Sequence, residues 1–134
     1  MNQQAKNAEK VVSALAKHPN VQRLYYPALF KDPAQIAIYE AQCKSPGSVF
    51  SLQVVGGKRG AFDFLRRLKI ASNAVSLGGV ETLACHPATT THSEMSAEEL
   101  RSTGITDDLV RISIGVEDFR DLTSDFLNAL DGLS

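Results

Sequence analysis

The stretch Leu109-Val110-Arg111-Ile112-Ser113-Ile114-Gly115-Val116-Glu117-Asp118 decides the fold of this chain. Its first six residues alternate, which predicts a strand with Val110, Ile112 and Ile114 facing a core. Arg111 interrupts the apolar run and falls on the opposite face, together with Leu109 and Ser113. The stretch therefore predicts a strand with a cation on the side away from the core.

Arg111 has two interpretations at this stage. A guanidinium is a planar fork of donors that matches a carboxylate in a bidentate way, which a lysine cannot do. An arginine on a sheet face is, however, more often solvated or held in a structural ion pair, and the pattern alone favours that alternative.

The neighbouring stretches predict helices and one more strand. Asp118 caps a last helix whose apolar stripe contains Phe119, Leu122, Phe126 and Leu130. Ser96 and Glu99 match a capping box, and Gly104 ends the short helix that follows. Residues 48–55 alternate, which predicts a strand that directs three side chains to the core: Phe50, Leu52 and Val54.

The N-terminal half continues this alternation of helices and strands. An opening helix is predicted from the helical spacing of its apolar residues, which are Ala5, Ala8, Val11, Val12 and Leu15. Val21–Tyr26 is predicted to be a short strand, and Asp32-Pro33 begins a helix that runs to about Cys43. Gly56-Gly57 leads into a helix with four apolar residues: Ala61, Phe62, Leu65 and Leu68.

The stretch between that helix and the capping box is less regular. Lys69–Gly79 is predicted to be a strand that ends in a glycine turn, and Val80–Ala84 is a second short apolar stretch. His86–Ser93 is polar and without period, as is typical of a loop. Together the elements predict one α/β domain, an α+β sandwich over residues 1–134.

Composition excludes several classes of protein. The 134 residues are 43% hydrophobic and 22% charged with a net charge of −1, a globular balance without the basic cluster of a nucleic-acid-binding protein. The apolar runs are far shorter than the ~20 residues that cross a bilayer. The start, MNQQAKNAEK, has no apolar signal region, and Cys43 and Cys85 have no motif spacing. We expect a cytoplasmic protein with reduced thiols that binds neither nucleic acid nor membrane.

Two further stretches could contact ligands. The turn Ser76-Leu77-Gly78-Gly79 lets the backbone approach a ligand, although an ordinary tight turn explains it as well. Cys85, His86, His92 and Glu94 lie close in sequence, but their spacing matches no metal-binding pattern, so we expect no metal site.

Several motifs in order are similar to one enzyme family. They are residues 76–83 (SLGGVETL), 86–93 (HPATTTHS), 104–106 (GIT) and 109–118 (LVRISIGVED), preceded by 7–10 (NAEK), 18–19 (HP) and 25–27 (YYP). The chain resembles the C-terminal part of the Cys/Met-metabolism (trans-sulfuration) enzymes that use pyridoxal phosphate (PLP). These include cystathionine γ-synthases, cystathionine γ-lyases, methionine γ-lyases and O-acylhomoserine sulfhydrylases.

The resemblance implies a fold and a site. The fold is the small C-terminal domain of a fold-type I PLP enzyme, a mostly antiparallel sheet with helices packed on one side. In the family an arginine matching Arg111 binds the substrate carboxylate, a serine matching Ser76 and a threonine matching Thr91 line the same pocket, and Val75 and Leu77 flank it. This changes the balance for Arg111 in favour of a ligand.

The resemblance also implies what this chain lacks. The family's catalytic lysine and phosphate-binding residues belong to a large domain that would precede residue 1, and none of the seven lysines here sits in the family's lysine motif. We expect no catalytic residue in residues 1–134, PLP only in a full-length enzyme, and a homo-oligomer, a tetramer in full-length members. The expected reaction is γ-elimination or γ-replacement on methionine, cystathionine or an O-acylhomoserine. The alternative is a stand-alone module that binds an amino acid or a protein without catalysis.

Overall fold

A computed structural model describes residues 1–133, which form one mixed α/β unit. Its strands are β1 (Val21–Tyr25), β2 (Val49–Val54), β3 (Ser72–Asn73), β4 (Leu83–Cys85) and β5 (Leu109–Ser113). Its helices are α1 (Asn2–Leu15), α2 (Pro33–Gln42), α3 (Gly57–Arg67), α4 (Ala97–Ser102) and α5 (Phe119–Asp131), with 3-10 turns at Pro27–Leu29 and Pro87–Thr89. The mixed α/β class is confirmed.

The strand predicted from residues 109–114 is the centre of the sheet. The strands lie in the order β1-β2-β5-β4-β3, so β5 pairs on both sides. Its pairs with β2 and β4 are antiparallel, as is the pair of β1 with β2, whereas β3 and β4 are parallel. The predicted mostly antiparallel sheet is therefore confirmed.

One face of this sheet forms the core. Val110 and Ile112 of β5 and Leu52 of β2 are fully buried, as the alternation predicts. They pack against the apolar stripes of α1, α3 and α5, which contribute the largest buried helical side chains: Leu15, Phe64, Leu122, Phe126 and Leu130. The helices α2 and α4 contain no buried residue.

The predicted helix starts are confirmed by their caps. The Asp32 carboxylate accepts the Ala34 N–H at 3.1 Å, and Ser96 and Glu99 form both bonds of a capping box. Asp118 accepts the Arg120 N–H at 2.8 Å, and hydrogen bonds from the Arg120 side chain and backbone lower the pKa of Asp118 to about 2. The carboxylate therefore stays charged at the helix start, where it interacts favourably with the dipole.

The apolar face of α3 differs from the prediction at one position. Phe62 is 36% exposed, and Phe64 fills the core instead, stacked on Phe126 with ring centroids 6.2 Å apart. The sequence offers two phenylalanines two residues apart, and only one can face the sheet because these positions lie about 200° apart around a helix. Phe62 packs its ring against His86, 4.9 Å between centroids.

The predicted strand Lys69–Gly79 is wrong except at Ser72–Asn73, which form β3. Asp125 of α5 explains the start of this segment. Its buried carboxylate accepts the backbone N–H groups of Lys69, Ile70 and Ala71 at 2.8, 2.9 and 3.2 Å. Backbone donors that would pair with a neighbouring strand are thus bound by a helix side chain, and the segment bends over the end of the sheet.

Replacing Asp125 with alanine should remove the acceptor of three backbone N–H groups, of which that of Ala71 is buried and the other two are partly buried. Loss of the acceptor costs ~1–3 kcal/mol at the buried Ala71 N–H and less at the two partly buried N–H groups, which water can reach, so we expect Asp125→Ala to lower the free energy of unfolding by about 2–4 kcal/mol in urea titrations. Asp121→Ala, in the same helix but exposed, should change it by less than ~0.5 kcal/mol. Equal effects of the two substitutions would contradict this role of Asp125.

Candidate functional site

Arg111 occupies the middle of the sheet face that lies opposite the core. Its cross-strand neighbours in the ladder are Ser51 on β2 and Cys85 on β4, so it is flanked on both sides. The side chain is half-buried, and its Nη2 donates to the carbonyl oxygens of Val75 and Ser76, the latter at 3.3 Å. The segment after β3 thus reaches over the sheet and binds one terminal nitrogen of the fork.

The charge of Arg111 has no carboxylate beside it. Within residues 1–133, the ion pairs join His18 to Asp131, Arg66 to Asp63 and Arg120 to Asp118, and none includes Arg111. The hydrogen bonds of this described region use only Nη2 of the guanidinium, which leaves Nε and Nη1 for other acceptors. The alternative of a structural ion pair is therefore not supported, and the free N–H groups can donate hydrogen bonds to an anion.

The loop that contacts Arg111 is clamped at its glycine end. Ser113 lies on the same face two residues along β5, and its hydroxyl accepts the Gly78 N–H at 2.9 Å. Gln4 of α1 donates to the carbonyl of Gly79 at 3.1 Å. Gly78 has a φ of +79°, a conformation that L side chains rarely adopt. The glycine turn predicted from the sequence therefore lies against the face of β5 that bears Arg111.

A second polar network fixes the chain on either side of the site. Glu117 accepts both the N–H and the hydroxyl of Thr82 at 2.8 Å, and the Thr82 hydroxyl in turn accepts the Gly115 N–H at 2.9 Å. Asn7 of α1 donates to the carbonyls of Gly115 and Glu117 at 3.1 and 2.8 Å. A Cβ on Gly115 would lie 2.2 Å from the Val80 carbonyl oxygen, so only glycine fits there.

The predicted site residues are only partly brought together. Ser76 and Val75 contact Arg111 through their carbonyls, and Val75 and Leu77 are 52% and 54% exposed beside it. Thr91 is exposed, and its hydroxyl bonds to the His92 ring at 2.8 Å. No hydrogen bond between residues 1–133 joins Thr91 to Arg111 or Ser76, so its place in the pocket stays a prediction.

His86 is part of the scaffold. The ring is buried, with Nε2 2.6 Å from the Asp107 carbonyl oxygen and Nδ1 2.8 Å from the Thr89 hydroxyl. Because a carbonyl only accepts, Nε2 donates to it, and Nδ1 is hydrogen-bonded to the Thr89 hydroxyl. With both nitrogens occupied, the ring holds the loop after β4 and has no free nitrogen for proton transfer.

Residues 1–133 contain neither a cluster of metal-binding side chains nor a buried lysine. Residues 1–133 contain no group of three or more His, Cys, Asp or Glu side chains placed to bind a metal ion. All seven lysines of the chain are exposed, so none stands in a water-excluded site as an anchor for an aldehyde cofactor.

None of the helices in residues 1–133 combines the length and the apolar character that crossing a membrane requires.

Sequence reasoning missed the residues that hold the site in place. Gln4 and Asn7 are polar positions on the buried stripe of α1, and Asp125 is a carboxylate on the buried stripe of α5. A polar residue on an apolar helical stripe must find buried hydrogen-bonding partners, so the sequence pattern could have identified these three residues. The partners themselves lie up to 110 positions away along the chain, which no local pattern shows.

Comparison with known proteins gives consistent matches along the chain. The sequence model of the Cys/Met metabolism PLP-dependent enzymes matches residues 1–131. An L-methionine gamma-lyase of Fusobacterium nucleatum subsp. polymorphum is 44% identical over 131 residues, and a cystathionine gamma-lyase of Dictyostelium discoideum is 40% identical over 131; each alignment covers 98% of this chain. The crystal structure of cystathione gamma lyase (CalE6) from Micromonospora echinospora superposes with a TM-score of 0.91 at 38% identity, over 98% of this chain and 34% of that one. The chain spans about a third of the length of the curated relatives it matches, 33% and 34% for the two named here.

The Thr82 hydroxyl should be essential to the second network. Thr82→Val keeps the shape but leaves the buried Gly115 N–H without an acceptor, so we expect a loss of ~1–3 kcal/mol in the free energy of unfolding. Thr103→Val, which removes an exposed hydroxyl from the end of α4, should cost less than ~0.5 kcal/mol. Urea titration of both variants checks this, and an unchanged Thr82→Val protein would show that the network contributes nothing.

Proposed function

Because this chain belongs to the Cys/Met metabolism family of PLP-dependent enzymes, we propose that it forms the small C-terminal domain of such an enzyme and binds the substrate carboxylate. The substrate is a sulfur amino acid or an activated homoserine, such as methionine, cystathionine or an O-acylhomoserine. The reaction is a γ-elimination or γ-replacement. The relatives named above are lyases of this kind, which supports the substrate class.

The observation that carries the proposal is the unpaired guanidinium of Arg111. A half-buried cation without a counter-charge attracts an anion, and a bound carboxylate would accept hydrogen bonds from the guanidinium N–H groups that the Val75 and Ser76 carbonyls leave free. The carbonyls of Val75 and Ser76 already hold Nη2, so the fork is oriented before a ligand arrives. Ser76, Thr91, Val75 and Leu77 are proposed to line the same pocket.

The role of this chain in the reaction is positioning. Fixing the α-carboxylate of an amino acid limits the rotation of the Cα–H bond, which helps to align it for proton removal. PLP, when bound to the complete enzyme, supplies the electron sink for the charge left on Cα. Residues 1–133 offer no anchor for that cofactor, so we propose that it is held by a large domain outside this chain and that this chain alone is inactive.

The remaining proposals concern assembly and location. We propose that the chain works against the missing cofactor domain in a homo-oligomer. A cytoplasmic location is consistent with its two free thiols, Cys43 exposed and Cys85 buried.

Arg111→Ala in the complete enzyme should lower kcat/KM by roughly 30-fold to several thousand-fold. Removing one partner of a charged hydrogen-bonded pair typically costs about 2–5 kcal/mol, and ~1.4 kcal/mol corresponds to one factor of ten. Arg111→Lys should recover only part of this loss because an ammonium cannot form the fork. Steady-state kinetics with methionine, cystathionine and O-acetylhomoserine measure the effect.

Thermal unfolding of the same variants separates ligand binding from folding. Arg101→Ala, an exposed arginine of α4, is the matched control and should leave kcat/KM near that of the parent. If Arg111→Ala keeps a near-normal kcat/KM but melts at a much lower temperature, Arg111 stabilises the fold and the proposal fails. A chain that binds amino acids tightly without any cofactor domain would favour the stand-alone module.

The chain by itself should not form a single-site adduct with PLP. Its seven lysines are all exposed, so incubation with PLP and borohydride should give scattered, substoichiometric labelling detected by peptide mass spectrometry. Stoichiometric labelling of one lysine, abolished by changing that lysine to arginine, would contradict the proposed division between this chain and a cofactor domain.

A further inference from the structure

We propose that Ser113 is a positioning residue for the carboxylate site. Its hydroxyl binds residues 75–79, which we call the 75–79 loop. This contact keeps the loop in the conformation in which the carbonyls of Val75 and Ser76 orient Arg111. This inference rests on the proposed function of Arg111. Ser113 is not proposed to touch the substrate; through the loop it keeps the guanidinium of Arg111 in one orientation.

The first step is the geometry of β5. Arg111 and Ser113 lie on the same face, two residues apart, and both side chains bind the 75–79 loop. Arg111 donates to its beginning, at Val75 and Ser76, and Ser113 accepts from its end, at Gly78. The loop is therefore held at both ends by one strand.

The second step is burial. Ser113 is 1% exposed, so solvent does not compete for its hydroxyl, which stays available as the acceptor of the Gly78 N–H. Arg111, in contrast, is only half-buried. Of the two contacts between β5 and the loop, the one at Ser113 is the less replaceable, and it restrains the loop while Arg111 exchanges solvent for a ligand.

The third step is the lack of other constraints on the middle of the loop. Among the described residues, Ala74 N–H still pairs with the Ala84 carbonyl, but residues 75–77 make no backbone hydrogen bond to a strand. Val75, Ser76 and Leu77 are exposed. The carbonyls that orient Arg111 therefore depend on the points where the loop is fixed, the pairing at Ala74 and the Ser113 and Gln4 contacts at Gly78-Gly79.

The test compares Ser113→Ala with Ser48→Ala, which removes another buried serine hydroxyl that is not bonded to this loop in residues 1–133. On the chain itself, NMR measures amide exchange at Gly78 and the exchange of the Arg111 guanidinium hydrogens. We expect Ser113→Ala to raise both rates by about tenfold, the equivalent of ~1.4 kcal/mol, and Ser48→Ala to change neither. Ser113→Cys keeps the volume but offers a weak acceptor, so it should fall in between and covers the case in which the alanine variant does not fold.

Kinetics of the complete enzyme provide the second readout. Ser113→Ala should raise KM for methionine about tenfold and leave kcat within about twofold, because Arg111 is still present to fix the carboxylate once methionine is bound and mainly the preorganisation of the empty site is lost. Faster exchange at Gly78 with an unchanged Arg111 signal and an unchanged KM would overturn the inference and leave Ser113 as a structural residue. If Arg111→Ala itself leaves kcat/KM unchanged, the proposed function fails, and the NMR result then still decides whether Ser113 orients Arg111.

Discussion

The segment between α3 and β4 must satisfy its backbone polar groups with side chains from elsewhere, because only two of its residues belong to a strand. Asp125 accepts three N–H groups at its start, Ser113 accepts one at its turn, and Thr82 and Glu117 bind each other at its end. Each of these acceptors comes from β5 or the chain that follows it, or is fixed to that chain. The shape of the segment therefore follows from the position of the central strand.

The 75–79 loop has a sequence typical of a flexible segment, but its two ends are hydrogen-bonded to β5. Residues 75–79 contain two glycines and exposed apolar side chains, yet the contacts at both ends limit how far they can move relative to Arg111. A ligand that binds Arg111 meets carbonyls and side chains that are already in place, which lowers the entropy lost on binding. On the proposed function, the exposed Val75 and Leu77 lie where the substrate or the rest of the enzyme would cover them.

Different residues of β5 contact the core and the proposed substrate site, so folding stability and carboxylate binding can be tested with separate substitutions. Val110 and Ile112 face the core and hold the helices, whereas Arg111 faces away and has no counter-charge within residues 1–133. Changes at Val110 and Ile112 should affect folding, whereas on the proposed function a change at Arg111 should affect carboxylate binding. Ser113 belongs to both categories, since it is buried and also binds the loop next to Arg111.

The sequence by itself determined the elements whose signals are local. Alternation predicted β2 and β5 and their core faces, helical spacing predicted α1 and α5, and caps at Asp32, Ser96 and Asp118 located helix starts. The motifs also identified the family, which the comparisons confirm along nearly the whole chain.

Only the tertiary structure decided three features: the choice between Phe62 and Phe64, the loss of the strand predicted at 69–79 and the lack of a counter-ion at Arg111. In each case the deciding group is remote in sequence: the Phe126 ring at Phe64, the Asp125 carboxylate at residues 69–71, and the Val75 and Ser76 carbonyls at Arg111. Local patterns report which groups a segment offers, but which distant groups satisfy them depends on the three-dimensional packing of the whole sheet.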